Sequence, residues 1–297
     1  QLSKTQETQI EIISLICSVQ NEQKIIQILQ KFNVDTIFHS AAYKHVPLVE
    51  SNIVEAVKNN IFGTKSLSEM AIKAKVKDFI LISSDKAVRP TNFMGATKRF
   101  SEVICQNLAS QNITKFSMVR FGNVIGSSGS VIPYFNEQID KGGPVTVTHK
   151  DITRFFMTIP EAAQLVIQAS AMSTGSDIFI LDMGKPIKII DLAFKMIHLK
   201  GLKPYLESSD DEANGDIAIK ITGLRHGEKL YEELLISENS IKTNHPKIFK
   251  EKLNPMDTTE LEKLIIDLLE ACKTNDINKI MEVFSHPKIM MKHSGEI

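Results

Sequence analysis

Ser84, Asp85 and Lys86 stand side by side, and Met94-Gly95-Ala96-Thr97-Lys98 begins eight residues after Lys86. A carboxyl and an amine next to each other suit proton transfer, since one can give a proton while the other takes one. They follow the apolar run Phe79-Ile80-Leu81-Ile82-Ser83, which reads as a buried parallel strand, and lead into the helix-like stretch Arg99 to Ile104. The reactive side chains therefore sit at a strand's C-terminal end, the edge of an open α/β sheet where ligands bind. Taken alone, the same residues also fit a turn capped by Asp85 with both lysines solvated.

Ser84-Asp85-Lys86-Ala87-Val88-Arg89-Pro90-Thr91-Asn92-Phe93-Met94-Gly95-Ala96-Thr97-Lys98-Arg99 resembles the active-site segment of a known family. That family is the nucleotide-sugar 4,6-dehydratases of bacterial polysaccharide biosynthesis, of the UDP-N-acetylglucosamine 4,6-dehydratase type, in the extended short-chain dehydrogenase/reductase superfamily. Most of the superfamily reads Tyr-x-x-x-Lys where this chain has Met94 and Lys98. A thioether cannot carry a proton, so oxidation needs another base. The same substitution is known in the long, membrane-anchored branch of these dehydratases. Five further blocks occur in the family's order: Phe38 to Glu50, Asn59 to Thr64, Val119 to Pro133, Thr153 to Met157 and Gly223 to Glu233. Ser128 and His226 depart from the pattern, where a charged residue and a proline are more usual.

The resemblance implies roles for individual side chains. Lys86 would be the base for the C5 proton, Asp85 the acid for the C6 hydroxyl, and Ser84 would orient C4. Asp85, through Ser84 or a water, is the candidate oxidation base that Met94 is not. Lys98 would bind the nicotinamide ribose. Ala41, Ala42, Asn60, Ser83 and Phe121 join it on the cofactor side. Lys44, His45, Asn123, Ser130, Val131, Arg154, Arg225 and Glu228 face the substrate, the two arginines as diphosphate partners because a guanidinium offers paired donors. By themselves, Arg154 and Arg225 read equally as surface ion pairs, and His39 reads as a satisfied core residue. The implied reaction takes UDP-N-acetylglucosamine to its 4-keto-6-deoxy sugar by C4 oxidation, loss of water across C5–C6 and hydride return to C6. NAD or NADP is the cofactor, with NAD slightly favoured. Asp85 and Lys86 each need a shifted pKa for these roles, and burial in a closed cleft is expected to supply both shifts. A nucleotide-sugar epimerase or reductase of the same superfamily, or an inactive truncated pseudoenzyme, is the alternative.

The elements that position these residues alternate helix and strand. Helical spacing covers 22–32, 51–74, 92–110 and 160–170, and strands are expected at 34–38, 116–121, 145–148 and 178–181, the last returning to the main sheet. The stretch 207–215 reads as a polar loop, and Asp257-Thr258-Thr259-Glu260 as a capping box. The pattern is that of a Rossmann-like, doubly wound parallel sheet with a smaller C-terminal substrate lobe. Residues 1–145 would form the truncated dinucleotide-binding domain, and 146–297 mainly the substrate lobe, interleaved with the sheet. No G-x-x-G-x-x-G turn precedes residue 37, and 11–16 already reads as the family's third strand. The expectation is a fragment without the first two strands and the phosphate loop.

Composition narrows the partners. With 35 basic and 35 acidic residues the formal net charge is zero, so no overall field recruits nucleic acid, and an anionic UDP-sugar must be held by local arginines. Three scattered cysteines make neither a disulfide framework nor a metal site, and eight histidines lack metal-ligand spacing, so no metal is expected. No run approaches the ~20 apolar residues of a membrane span. The resemblance implies a cytoplasmic homo-oligomer, with helices 51–74 and 92–110 as the interface used by many relatives. In the long branch, membrane helices precede this part and anchor it to the inner membrane.

Overall fold

A computed structural model of the chain describes residues 10–127, 129–207, 215–225, 227–232, 240–251 and 255–292. Helix α1 (Glu22–Lys31) begins where the Asn21 side chain accepts from the Lys24 amide, and strand β1 (Thr36–His39) follows. Short helices α2 (Val46–Glu50) and α3 (Ile53–Ala56) run into a π turn (Val57–Phe62) and α4 (Gly63–Lys73). The expected helix over 51–74 is therefore present, widened by one π turn just before Gly63. Strand β2 (Asp78–Ile82), a 3-10 turn (Asp85–Ala87), α5 (Phe93–Leu108) and β3 (Lys115–Arg120) come next. Then come β4 (Asn123–Val124), α6 (Val131–Asp140), β5 (Val145–Val147), β6 (Thr153–Arg154), β7 (Phe156–Met157), α7 (Ile159–Ala171) and β8 (Asp177–Leu181). The chain continues through β9 (Ile187–Lys188), α8 (Ile189–Leu199), β10 (Pro204–Leu206) and β11 (Ile217–Ile221). It closes with β12 (Ser240–Lys242), β13 (Ile248–Glu251), α9 (Thr258–Thr274) and α10 (Ile277–Phe284).

The main sheet has the order β1-β2-β3-β8-β13-β12, with β1, β2, β3 and β8 parallel and the last two antiparallel. Alternate side chains of the apolar strands supply two cores, as a period of two requires. Phe79, Leu81, Phe116 and Met118 pack beneath α1 and α4, while Ile80, Val119 and Phe179 pack beneath α7. Helices on both faces make this a doubly wound, Rossmann-like α/β fold, as expected. A second sheet of order β10-β11-β5 is covered by α6 and α8, forming a core of its own around Phe135, Val145, Ile197 and Ile219.

Two features depart from the sequence pattern. The run 11–16 forms no strand, and Ile16 is fully exposed. A parallel strand needs a neighbouring ladder to satisfy its backbone, and 11–16 joins none: β1, at the edge of the sheet, pairs only with β2. The second departure concerns α5, whose residues are almost all buried. Its outer face, with the π turn, is covered from within the chain by α9 and α10 through Leu261, Leu268, Ile280, Val283 and Phe284. Each such side chain contributes about 1.5–3 kcal/mol on burial, against about 0–1 for the exposed ion pairs nearby, so packing rather than charge seats this helical pair. Half of the expected capping box is formed: Asp257 accepts from the amides of Thr259 and Glu260, while the Glu260 carboxylate pairs with His286 Nε2 at 3.0 Å instead of returning to the Asp257 amide. Most of the expected loop at 207–215, and Ser128, His226 and Glu233, lie outside the described residues. Among the described residues no helix is long and apolar enough to cross a membrane.

Candidate active site

The strand β2 ends at Ile82, and the chain there turns through Ser83 and Ser84 into the 3-10 turn. Pairing continues past the strand, with the Ser83 amide donating to Val119 O and the Asp85 amide to Phe121 O, so the turn is held against the end of β3. Ser84 caps it, its Oγ accepting from the Lys86 amide at 3.2 Å and donating to Asp85 Oδ1 at 2.8 Å. Lys86 Nζ reaches the same oxygen at 3.0 Å and Glu232 Oε1 at 3.1 Å. Ser84 and Lys86 line a cavity of about 870 Å³ between the strand ends and the second sheet. Asp85, only 1% exposed, sits behind them.

The expected chemistry of Lys86 is reversed in one respect. Burial pulls its pKa down, but Asp85 and Glu232 outweigh burial and hold it above the usual lysine value. It rests as an ammonium between two carboxylates. Lys98, in contrast, makes no hydrogen bond or ion pair among the described residues and points to the same cavity. Burial brings it down to about 8, against the opposing charge of Glu102.

Met94 and Lys98 stand one turn apart on α5, whose first turn is capped by Asn92 accepting from the Gly95 amide. Gly95 has no room for a side chain: a Cβ there would lie 2.2 Å from the carbonyl oxygen of Lys86. The obstacle is backbone and cannot rotate away. Gly95→Ala should therefore displace the Asp85–Lys86 turn, seen as a fall in turnover of about tenfold or more with a lower melting temperature. Retention of both within error would show that the turn tolerates the methyl group.

The residues expected on the cofactor side do not all reach the cavity. Ala42, Ser83 and Phe121 line the cavity, whereas Ala41 and Asn60 stand outside it and support it. Asn60 Oδ1 accepts from the Tyr43 amide at 2.7 Å, and its Nδ2 donates to Tyr43 O and Thr97 Oγ1. Asn59 Nδ2 donates to Ala41 O, so the π turn clamps the loop after β1. The Thr64 hydroxyl proton goes to Asn60 O at 2.6 Å, which makes His39 Nε2 the donor to Thr64 Oγ1 at 2.9 Å. Burial, with Lys98 adding to it, pushes His39 down to about 3, and it serves as a neutral core residue. The hydroxyl of Ser83 donates to Glu102 at 2.6 Å.

Lys44, His45, Asn123, Ser130, Val131, Arg154, Arg225 and Glu228, the residues expected to face the substrate, line the same cavity. Gly129, at φ +66°, brings its loop so close to His45 that a Cβ would meet the ring at 2.2 Å. Ser130 Oγ is buried with no partner among the described residues. Glu228 accepts from Arg154 at 3.2 Å, from Thr148 at 3.2 Å and from the Arg225 amide at 3.1 Å. The residues that sequence reasoning missed are acidic. Glu232 pairs with Lys86 and Arg154, and Glu102 is buried among Arg99, Arg120 and Ser83. The one local signal for Glu102 was the Arg99–Glu102 spacing of three residues on one helix.

The family described as "Polysaccharide biosynthesis protein" matches residues 1–253. The chain is 48% identical over 286 residues to capsular polysaccharide biosynthesis protein CapD of Staphylococcus aureus, covering 94% of this chain and 45% of CapD. It is 36% identical over 212 residues to UDP-N-acetylglucosamine 4,6-dehydratase (inverting) of Campylobacter jejuni, covering 70% of this chain and 58% of that one. A UDP-glucose 4-epimerase of Rickettsia canadensis matches at the same identity and coverage. The solved structure of Pen from Bacillus thuringiensis is 34% identical, with a TM-score of 0.70 over 86% of this chain and 81% of that chain. The chain spans somewhat less than half the length of CapD and of probable polysaccharide biosynthesis protein EpsC of Bacillus subtilis, 45% and 41% respectively.

Proposed function

This chain belongs to the polysaccharide biosynthesis protein family, and from that premise we propose that it removes water from a UDP-sugar, UDP-N-acetylglucosamine in the first instance, giving the 4-keto-6-deoxy sugar. The observation that carries this reading is the adjacent acid and amine of Asp85 and Lys86 at the end of β2, beside a cavity large enough for a nucleotide sugar. Lys86 takes the C5 proton as a neutral amine. The C6–O bond breaks, and the hydroxyl leaves as water with a proton from Asp85. Because Asp85 lies behind Ser84, that proton passes through Ser84 Oγ, which both lines the cavity and bonds Oδ1. The C4 hydroxyl proton that Met94 cannot take passes through Ser84 to Asp85 during oxidation and is released through the cavity to solvent, so that Asp85 is a carboxylate again before elimination. Arg154 and Arg225 hold the diphosphate, Arg225 through a guanidinium that makes no hydrogen bond among the described residues.

Lys98 supports a nicotinamide cofactor in the same cavity: its unpartnered amine fits an anionic or hydroxyl acceptor such as a ribose. Ala42 and Phe121 line that cavity with it. That cofactor, NAD in preference to NADP, would supply the hydride acceptor and donor. The second reading, a nucleotide-sugar epimerase, is favoured by the UDP-glucose 4-epimerase relative, but an epimerase has no use for a C5 base next to a C6 acid. Incubation of the intact protein with UDP-N-acetylglucosamine and NAD, followed by mass spectrometry and NMR, tests the choice. Loss of one water with a new C6 methyl group is the expected result. A product of unchanged mass, inverted at C4, would make it an epimerase.

A further inference from the structure

Residues 227–232 form a strap between the two halves of the cleft. Gly227 O accepts from Thr91 Oγ1 and from the α5 cap Asn92, Lys229 Nζ donates to Val88 O and Arg89 O, and Leu230 O accepts from the Thr153 amide on β6. At the strap's end Glu232 enters the site. Its Oε1 lies 3.1 Å from Lys86 Nζ and 3.4 Å from Arg154 Nε, while Oε2 is buried with no hydrogen bond among the described residues. A carboxylate whose side chain is only 3% exposed is costly unless it is paired, so its place against Lys86 calls for a reason.

We propose that Glu232 is a positioning residue that controls when Lys86 becomes a base: with Asp85 it holds the amine as an ammonium and opposes passage of that proton to Asp85. This rests on the assignment of Lys86 as the C5 base. The step is a proton transfer across the 3.0 Å contact, in which one Nζ–H bond breaks and one Oδ1–H bond forms. It leaves a neutral amine and a neutral carboxylic acid, the pair that elimination requires. The charged groups facing Lys86 are Asp85 from its own turn, Glu232 from the strap and Arg154 from β6, with Lys98 of α5 lining the same cavity. Glu232 stabilises the charge before the transfer and gains nothing after it. The raised pKa of Lys86, which burial alone would lower, agrees with that balance.

Labelling of the intact protein with acetic anhydride at one alkaline pH, below the ordinary lysine value of about 10.4, reads the neutral fraction of Lys86 by mass spectrometry of its peptide. No substrate is needed. Glu232→Gln should speed labelling of Lys86 by about tenfold or more, since an opposite charge at this range is worth about one pKa unit or more. Glu232→Asp, which keeps the charge, should label near the parent rate. Arg154→Gln removes the opposing positive charge and should slow it. An unchanged rate in a Glu232→Gln protein that retains its melting temperature overturns the proposal, as does an equal acceleration in Glu232→Asp. Should Glu232→Gln fail to fold, Arg154→Gln decides alone, and faster or unchanged labelling in it overturns the proposal. In turnover, Glu232→Gln should also move the Lys86 limb of the pH–rate profile to lower pH. Faster labelling with an unmoved limb supports the hold of Glu232 on Lys86 and instead removes Lys86 from the role of base.

Discussion

Lys86→Ala is expected to lower the rate of water loss from UDP-N-acetylglucosamine by about 10²- to 10⁴-fold, the usual contribution of a general acid–base group. The physical reason is that no other amine lies within hydrogen-bond reach of Asp85 among the described residues, while Ser84 still bonds Oδ1 in the variant. C4 oxidation should then persist in part, so near-ultraviolet absorbance of reduced nicotinamide should build up in Lys86→Ala and not in the parent. Met94→Leu makes the contrast. It conserves volume at a buried position, where such a swap costs less than about 1.5 kcal/mol, and it removes no proton carrier, so turnover should stay within a few-fold. Turnover of Lys86→Ala within a few-fold of the parent would sink the assignment of the base and the preference for a dehydratase.

Glu102→Gln should destabilise the fold by about 3–5 kcal/mol, because it leaves buried guanidinium charges without their main counter-ion. Arg120 binds Glu102 through two nitrogens, at 2.7 and 2.6 Å, and Arg99 adds a third contact at 3.0 Å. Arg120 also bonds Glu251 on β13, and Arg99 Nε donates to Lys288 O. One carboxylate thus ties α5, β3, β13 and the segment after α10 together, and its loss should lower Tm by roughly 6–20 °C in a thermal melt. Burial alone would raise the Glu102 pKa, but Arg120, Arg99 and the Ser83 hydroxyl outweigh it, and the folded value lies below the usual one. The sign follows from this depression. The contribution is fully present above the unfolded value of about 4.3 and is lost as pH falls through the lower folded value. The parent should therefore show an acid-unfolding step that Glu102→Gln lacks, and a variant melting within a degree or two of the parent would disprove the role.

Local pattern carried a good deal of this molecule. The run 79–83 reads as a buried strand and 92–110 as a helix, and both are found as such, so the strand end that presents Ser84, Asp85 and Lys86 was legible without coordinates. The N-cap at Asp257 was legible for the same reason, since its hydrogen bonds join residues two and three apart. The run 11–16 misled because alternation and apolarity report what a segment can bury, whereas a strand also needs a neighbour's ladder.

By itself, then, the sequence determined which segments are strands and helices, their order, and the resemblance of the 84–98 segment to a family with defined chemistry. Only the tertiary structure decided the electrostatics of the site. Burial and charge partners set a pKa, and both depend on groups far away in the chain: Glu232 meets Lys86, and Glu251 meets Arg120, across contacts that leave no local periodicity. The sequence alone predicted that burial would lower the Lys86 pKa. The fold places a second carboxylate against that amine and turns the direction around.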